Sequence, residues 1–301
     1  MPMFCRHNRL TANCPICSRD LQDELRSKAP SRPARGRAAG SAASTRARGS
    51  SGGRSGGLVT RRLARAADDG YRNPLVPGLR ATADAERLAA ALTAATARLE
   101  PPGPYPAVAS EPDLEEATWL AFLLALAGPD APELQDAVIA ARPSWASGDV
   151  PELPGGRERI AAAYRTWVAR AGSQAAAFHG EPSWTPQRRF SRVFERLSLH
   201  GLGRAERFDL FTALGAAGRY ELEAGELQLA TGEDATTEAA KRVLVSGDKL
   251  LLERRARELA EACGVPLAAL DRGLALWGTP GEQAELTVEV PEPVRAGLSL
   301  R

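Results

Sequence analysis

The sequence predicts an all-α protein: a helical bundle with a helix-hairpin-helix-type turn, a minor β-hairpin and an N-terminal zinc knuckle. Three observations lead there. Apolar residues recur at a 3.6-residue spacing through most of the chain beyond residue 80. Helix-starting Ser, Thr, Asp and Pro precede those stretches and Gly follows them. Four ligand-type residues, Cys5, His7, Cys14 and Cys17, crowd the first seventeen positions.

Those four carry the most specific chemical signal. The spacing is C-x-H, then C-P-I-C, and two close pairs of thiolate and imidazole donors can grip one zinc ion tetrahedrally. Pro15 presets the turn that brings the Cys14 and Cys17 sulfurs together. Four protein ligands leave no position for water, so the expected role of the zinc is structural, over residues 1–19. So small a segment has no large core, and the metal would supply most of its folding energy.

Residues 20–66 read as a disordered basic linker, because from 27 to 57 the chain is almost only Arg, Gly, Ser, Ala and Pro and cannot offset its ordering entropy. Residues 1–65 hold fourteen Lys or Arg against three acids, a net +11; with +2 in total, the rest carries −9. A basic arm on an acidic body suits a polyanionic partner such as DNA, or serves only as a solvating tail. The fourth cysteine, Cys263, lies far away in an apolar helical stretch, so the expected compartment is reducing and the expected location cytoplasmic. No leader pattern is visible, and the most apolar run, 119–127, is too short to cross a bilayer, so no membrane partner is expected. The Arg and Ala bias fits a GC-rich bacterial genome.

Residues 67–301 read as one helical domain. A short amphipathic helix at 58–67 leads to a Pro-Gly loop at 73–80. Helix follows at 84–100, ended by Pro101-Pro102. Ser110 opens the next, with Asp113 at its capping-box position, and the run through Trp119 and Phe122 is buried on all sides. Further helices are expected at 132–142, at 156–171 and from the Thr185-Pro186 start through Leu197. After the glycine turn, 204–217 is helical; 220–222 and 227–229 flank Gly225 as a small hairpin. Asp234 caps a helix to Leu244, Asp248 caps 249–263, Pro266 starts a helix to Trp277, and 284–290 alternates like an edge strand.

Two stretches carry candidate chemistry. L-H-G-L-G-R-A, at 199–205, lies between amphipathic helices; Gly201 and Gly203 permit a tight hairpin with positive φ. The free amides of the following helix would face a nucleic-acid phosphate, with Arg204, Arg207 and Arg242 adding charge. The plainer reading is an ordinary glycine-capped loop. The second stretch runs from 234 to 255. Lys241 and Lys249 are the only lysines beyond residue 28, and a lysine kept where arginine dominates suits a nucleophile or titratable base, with Asp248 or Asp234 as its acid–base partner. Asp234, Lys241 and Asp248 are therefore the catalytic candidates, although both aspartates also suit helix caps.

F-E-R-L-S-L-H-G-L-G-R-A-E-R-F-D-L-F, A-A-K-R-V-L-V-S-G-D-K-L-L-L-E-R-R-A and W-L-A-F-L together resemble the alpha-glutamyl/putrescinyl thymine pyrophosphorylase family, its bacterial third clade in particular, within the helix-hairpin-helix DNA-glycosylase-like group. The resemblance spans about residues 70–280. It implies a helical domain acting on a modified pyrimidine in DNA, where an amine replaces pyrophosphate on an activated 5-hydroxymethyl group. The base would be flipped from the duplex. Lys241, Arg242, Arg254 and Arg255 would then stabilise the leaving anion. Two rival expectations stand beside this one: a non-catalytic zinc-containing nucleic-acid-binding protein, and a protein–protein adaptor docking its partner through the knuckle.

Overall fold

The computed structural model describes residues 66–229, 232–279 and 288–300. Cys5, His7, Cys14 and Cys17, with the knuckle and the linker up to residue 65, lie outside the described residues. Among those described the protein is helical, with twelve α-helices and no strand. None is long and apolar enough to cross a membrane.

The centre of the fold is α3 (Leu114–Ala127), ten of whose residues are buried, from Ala117 to Leu126. A helix apolar all round has to be enclosed by others. It packs on α2 (Pro106–Ser110), α4 (Pro132–Ala141), α6 (Gln174–His179) and α8 (Arg204–Ala216). Phe122 stacks on Tyr164 of α5 (Glu158–Ala171) with ring centroids 3.9 Å apart. The buried Tyr164 hydroxyl donates to Gln174 Oε1 at 2.7 Å, so the ring is enclosed without an orphaned polar atom.

The start of α3 differs from expectation. Pro112 disfavours helix at the residue before it, and Glu111 is extended (φ −71°, ψ 117°). Ser110 therefore closes α2, and Asp113 is itself the N-cap of α3, accepting from the Glu116 amide at 2.9 Å. Glu115 does more than favour the helix dipole from the first turn. Its carboxylate accepts from the Gln174 and Ala175 amides at 3.0 and 2.9 Å, which fixes α6 against α3.

The longest helix–helix contact joins α1 (Thr82–Leu99) to α11 (Leu267–Gly278). Gly273 makes it possible, since a Cβ there would lie 2.7 Å from Leu92 Cδ2 and 3.2 Å from Leu92 Cα. Next to them lie α9 (Ala235–Leu244) and α10 (Lys249–Cys263), capped by Asp234 and Asp248 as the sequence foretold. Thr185 likewise caps α7 (Pro186–Arg196). Cys263 is wholly buried, and burial pushes its thiol up to about 11. A short α12 (Glu292–Gly297), which the sequence reading missed, packs on α10.

The expected β-hairpin is absent. Residues 220–222 and 227–229 run through an irregular loop, and the Leu227 and Leu229 amides donate to the buried Glu253 carboxylate at 2.7 and 2.6 Å. A side chain from α10 thus takes the donors that a strand partner would have used. Of the expected edge strand, residues 288–290 are unpaired and 284–287 lie outside the described residues.

Candidate functional site

The glycine turn is formed and exposed. Gly201 adopts φ +86°, a conformation glycine takes without steric cost, whereas Gly203 does not need one (φ −72°) and serves as the N-cap of α8. The Leu202 amide closes the turn on the Leu199 carbonyl at 3.1 Å. The start of α8 is not left open to an anion, however. Glu206, in the first turn, folds back so far that a Cβ on Gly203 would meet its Oε2 at 2.4 Å. A phosphate at this terminus would have to displace that carboxylate.

The two arginines expected to flank the phosphate point inward. Arg204 is 2% exposed. Its Nε donates to Asp234 Oδ2 at 2.5 Å, and its Nη1 to Asp271 Oδ1 at 2.8 Å and to the Leu227 carbonyl at 2.7 Å. Arg207 is 6% exposed, lies over the Phe194 ring at 4.3 Å and donates to the Phe194 carbonyl at 3.0 Å. Both guanidiniums hold the fold together, because Phe208 and the neighbouring apolar positions direct this face of α8 into the core. Neither is available to a phosphate. Arg242 does reach solvent, where it pairs loosely with Glu238 at 3.5 Å.

The expected catalytic trio is not brought together. Asp234 caps α9 and is bound to Arg204. Lys241 and Asp248 are exposed near the other end of α9, ~10 Å along its axis at 1.5 Å per residue. Asp248 spends its carboxylate on the Leu251 amide at 2.8 Å.

A cavity of about 200 Å³ does lie beside the turn, on the face of α8 that follows it. Its walls come from the C-terminal ends of α1 and α3, from α8 through Ala205, Asp209 and Thr212, and from α11 through Asp271 and Arg272. Asp209 accepts a short hydrogen bond from the Tyr105 hydroxyl. Burial raises Asp209 above the usual carboxylate range, against the Tyr105 hydrogen bond and the nearby Arg98 and Arg272 charges. Tyr105 is held well above its ordinary value, first by burial and then by the Asp209 charge. Asp271 is raised to about 6; burial is the main cause, Arg204 opposes it and Asp234 adds to it.

Three arginines on the rim, Arg98, Arg157 and Arg272, converge on the end of α3. Arg157 donates to the Leu126 carbonyl, Arg98 to the Pro129 carbonyl at 3.2 Å, and Arg272 pairs with Asp130. Cations there neutralise the negative end of the helix dipole. Asp209 and Asp271, both raised by burial, thus lie among cations, an arrangement that acid–base sites share with structural ion-pair networks. Sequence reasoning missed all of these residues. The available signal was an acid inside an apolar helical run, as Asp209 is in F-D-L-F and Asp271 in A-L-D-R.

Among the described residues no group of three or more His, Cys, Asp or Glu could hold a metal ion. The chain matches no family model, no curated protein and no solved structure in the three comparisons made.

Proposed function

We propose that the protein acts on a modified pyrimidine in DNA, the reading suggested by the resemblance to thymine-hypermodification pyrophosphorylases. The observation that supports it best is the cavity on α8 just past the glycine turn, which Asp209 and Asp271 both line, with the Tyr105 hydroxyl bonded to Asp209 from behind the lining. At about 200 Å³ it is smaller than the ~300–1,000 Å³ of ordinary ligand pockets, which suits one extruded ring rather than a whole nucleotide. In the reaction the carbon–oxygen bond to pyrophosphate breaks, a carbon–nitrogen bond to the amine forms, and the amine gives up a proton. Asp209 in its carboxylate form, of raised proton affinity, is the acceptor for that proton. Arg98 and Arg272 stand beside it to offset the leaving charge. This moves the chemistry away from Asp234, Lys241 and Asp248. The N-terminal thiolate and imidazole set belongs to the same proposal as a structural zinc site.

The test is mass spectrometry of oligonucleotides carrying thymine, 5-hydroxymethyluracil or its pyrophosphorylated form, incubated with full-length protein and an amine. A mass change at the activated base alone, lost in Asp209→Asn with the helical circular dichroism intact, supports the proposal. No mass change together with no salt-sensitive DNA binding sinks it. DNA binding without any mass change favours the non-catalytic reading, which the inward-facing Arg204 and Arg207 and the guarding Glu206 make the strongest rival. Elemental analysis of the full chain, with Cys14→Ser as the variant that loses metal, tests the zinc.

A further inference from the structure

The α9–α10 turn is unlike the rest of the surface. Val245 is 56% exposed and Leu250 82% exposed, among the few large apolar side chains left in solvent by the described residues. Val245 is also left-handed (φ 49°, ψ 62°), a conformation that β-branched residues rarely adopt. It is held there: Arg255 donates to the Leu244 and Val245 carbonyls, and the Gly78 amide takes the Val243 carbonyl at 2.9 Å. The turn is thus a supported tip that carries two apolar side chains outward.

Its surroundings are positive although the body is acidic. From 241 to 257 the chain holds six Lys or Arg and two acids. Both acids are engaged, Asp248 on the Leu251 amide and Glu253 on the Leu227 and Leu229 amides. Arg242 and Arg254 reach solvent with only loose partners at 3.5 and 3.6 Å along their own helices, contacts that are weak at an exposed surface. Lys241 and Lys249 are exposed nearby.

We infer that this turn is a second nucleic-acid contact: Val245 and Leu250 press against a base step while Lys241, Arg242 and Arg254 meet phosphates on either side. The inference rests on the nucleic-acid reading above and deepens it. Single apolar side chains framed by cations are how proteins wedge into a stack, whereas an interfacial membrane helix presents a broad apolar face. Thr236, on the cavity wall, lies at the start of α9 and Val245 at its end, ~13 Å apart along the helix axis, about four nucleotides of a B-form strand. One strand would thus meet both places.

The experiment is fluorescence anisotropy of the full chain with a duplex carrying 2-aminopurine, titrated across salt. Val245→Ser/Leu250→Ser is expected to weaken binding about tenfold at an unchanged salt slope and to abolish the 2-aminopurine rise of unstacking. Lys241→Gln/Arg242→Gln is expected to lower the salt slope by about two. Unchanged affinity and unchanged 2-aminopurine signal in the serine variant overturn the inference while leaving the reading intact if the wild type still binds DNA. A wild type that binds no duplex overturns the inference, and with no mass change in the oligonucleotide assay it overturns the reading as well. Sedimentation of the wild type with phosphatidylserine-rich vesicles, lost in the serine variant while DNA binding is kept, overturns it in favour of a membrane. Thermal melts by circular dichroism check that the exposed substitutions leave the fold in place.

Discussion

The two ends of α9 contain the same kinds of residue put to opposite uses. At its start, Asp234 and the neighbouring Asp271 close around a buried Arg204 whose Nε and Nη1 are spent on them and on the Leu227 carbonyl. At its end, Lys241, Arg242 and the Val245 tip face solvent, and Arg255 is spent on the fold. Charge alone does not mark a binding residue. A guanidinium in the interior must find carbonyls and carboxylates or forfeit its hydration, and that demand engages donors a ligand would otherwise take.

Arg204→Met should sharpen the contrast most. It leaves Asp271 and Asp234 without their shared cation, and the expected loss is about 3–5 kcal/mol by denaturant unfolding. Arg204→Lys should recover little of it, because a single ammonium cannot reproduce the fork to Asp234, Asp271 and Leu227. The same substitution idea at the exposed end, Arg242→Met, should change stability by less than about 0.5 kcal/mol. A large loss there would break the comparison.

Next in size is a pH effect confined to the buried end. Asp271 has its folded value raised to about 6 from an ordinary 3.8, so the native state binds its proton more tightly than the unfolded chain. That contribution is fully present below about pH 4 and is lost as pH rises through 6. At ~1.4 kcal/mol per unit the change is about 2–3 kcal/mol. Stability curves of the wild type and Asp271→Asn between pH 4 and 7 should therefore converge toward neutrality in their slopes, with the wild type falling more steeply. Parallel curves would place the titration elsewhere.

Gly78→Ala probes the support beneath the exposed end. A Cβ at Gly78 would lie 1.7 Å from the Arg242 carbonyl oxygen, so the loop must retreat and the Val243 carbonyl loses its donor. The expected cost is about 2–3 kcal/mol by thermal or chemical unfolding. The smallest effect has the opposite sign. Val245→Gly relieves the left-handed backbone and should stabilise the protein by about 1 kcal/mol while weakening the proposed nucleic-acid contact. Stability and binding moving in opposite directions would identify the strain as functional.

Much of the helical framework was legible. Thr185, Asp234 and Asp248 announce their helices because an N-cap acts through its own side chain on an amide three residues on, which is a local event. The buried α3 was equally plain, since a run such as W-L-A-F-L has no polar face to offer. The hairpin at 220–229 failed for a reason no local pattern contains: its donors went to Glu253, more than twenty residues away. The site failed similarly. Lys241 and Asp248 stood out by rarity and spacing, yet neither reaches the cavity, while Asp209 and Asp271, far apart in the chain, both line it.

By itself the sequence determined the caps, the apolar faces, the glycine turn and the distribution of charge along the chain, because each depends on residues within a turn or two of one another. Tertiary structure decided which arginines were enclosed, which carboxylates share a hollow and which apolar side chains remained outside. Those outcomes turn on desolvation, and whether a group keeps its water is settled only when distant helices close over it.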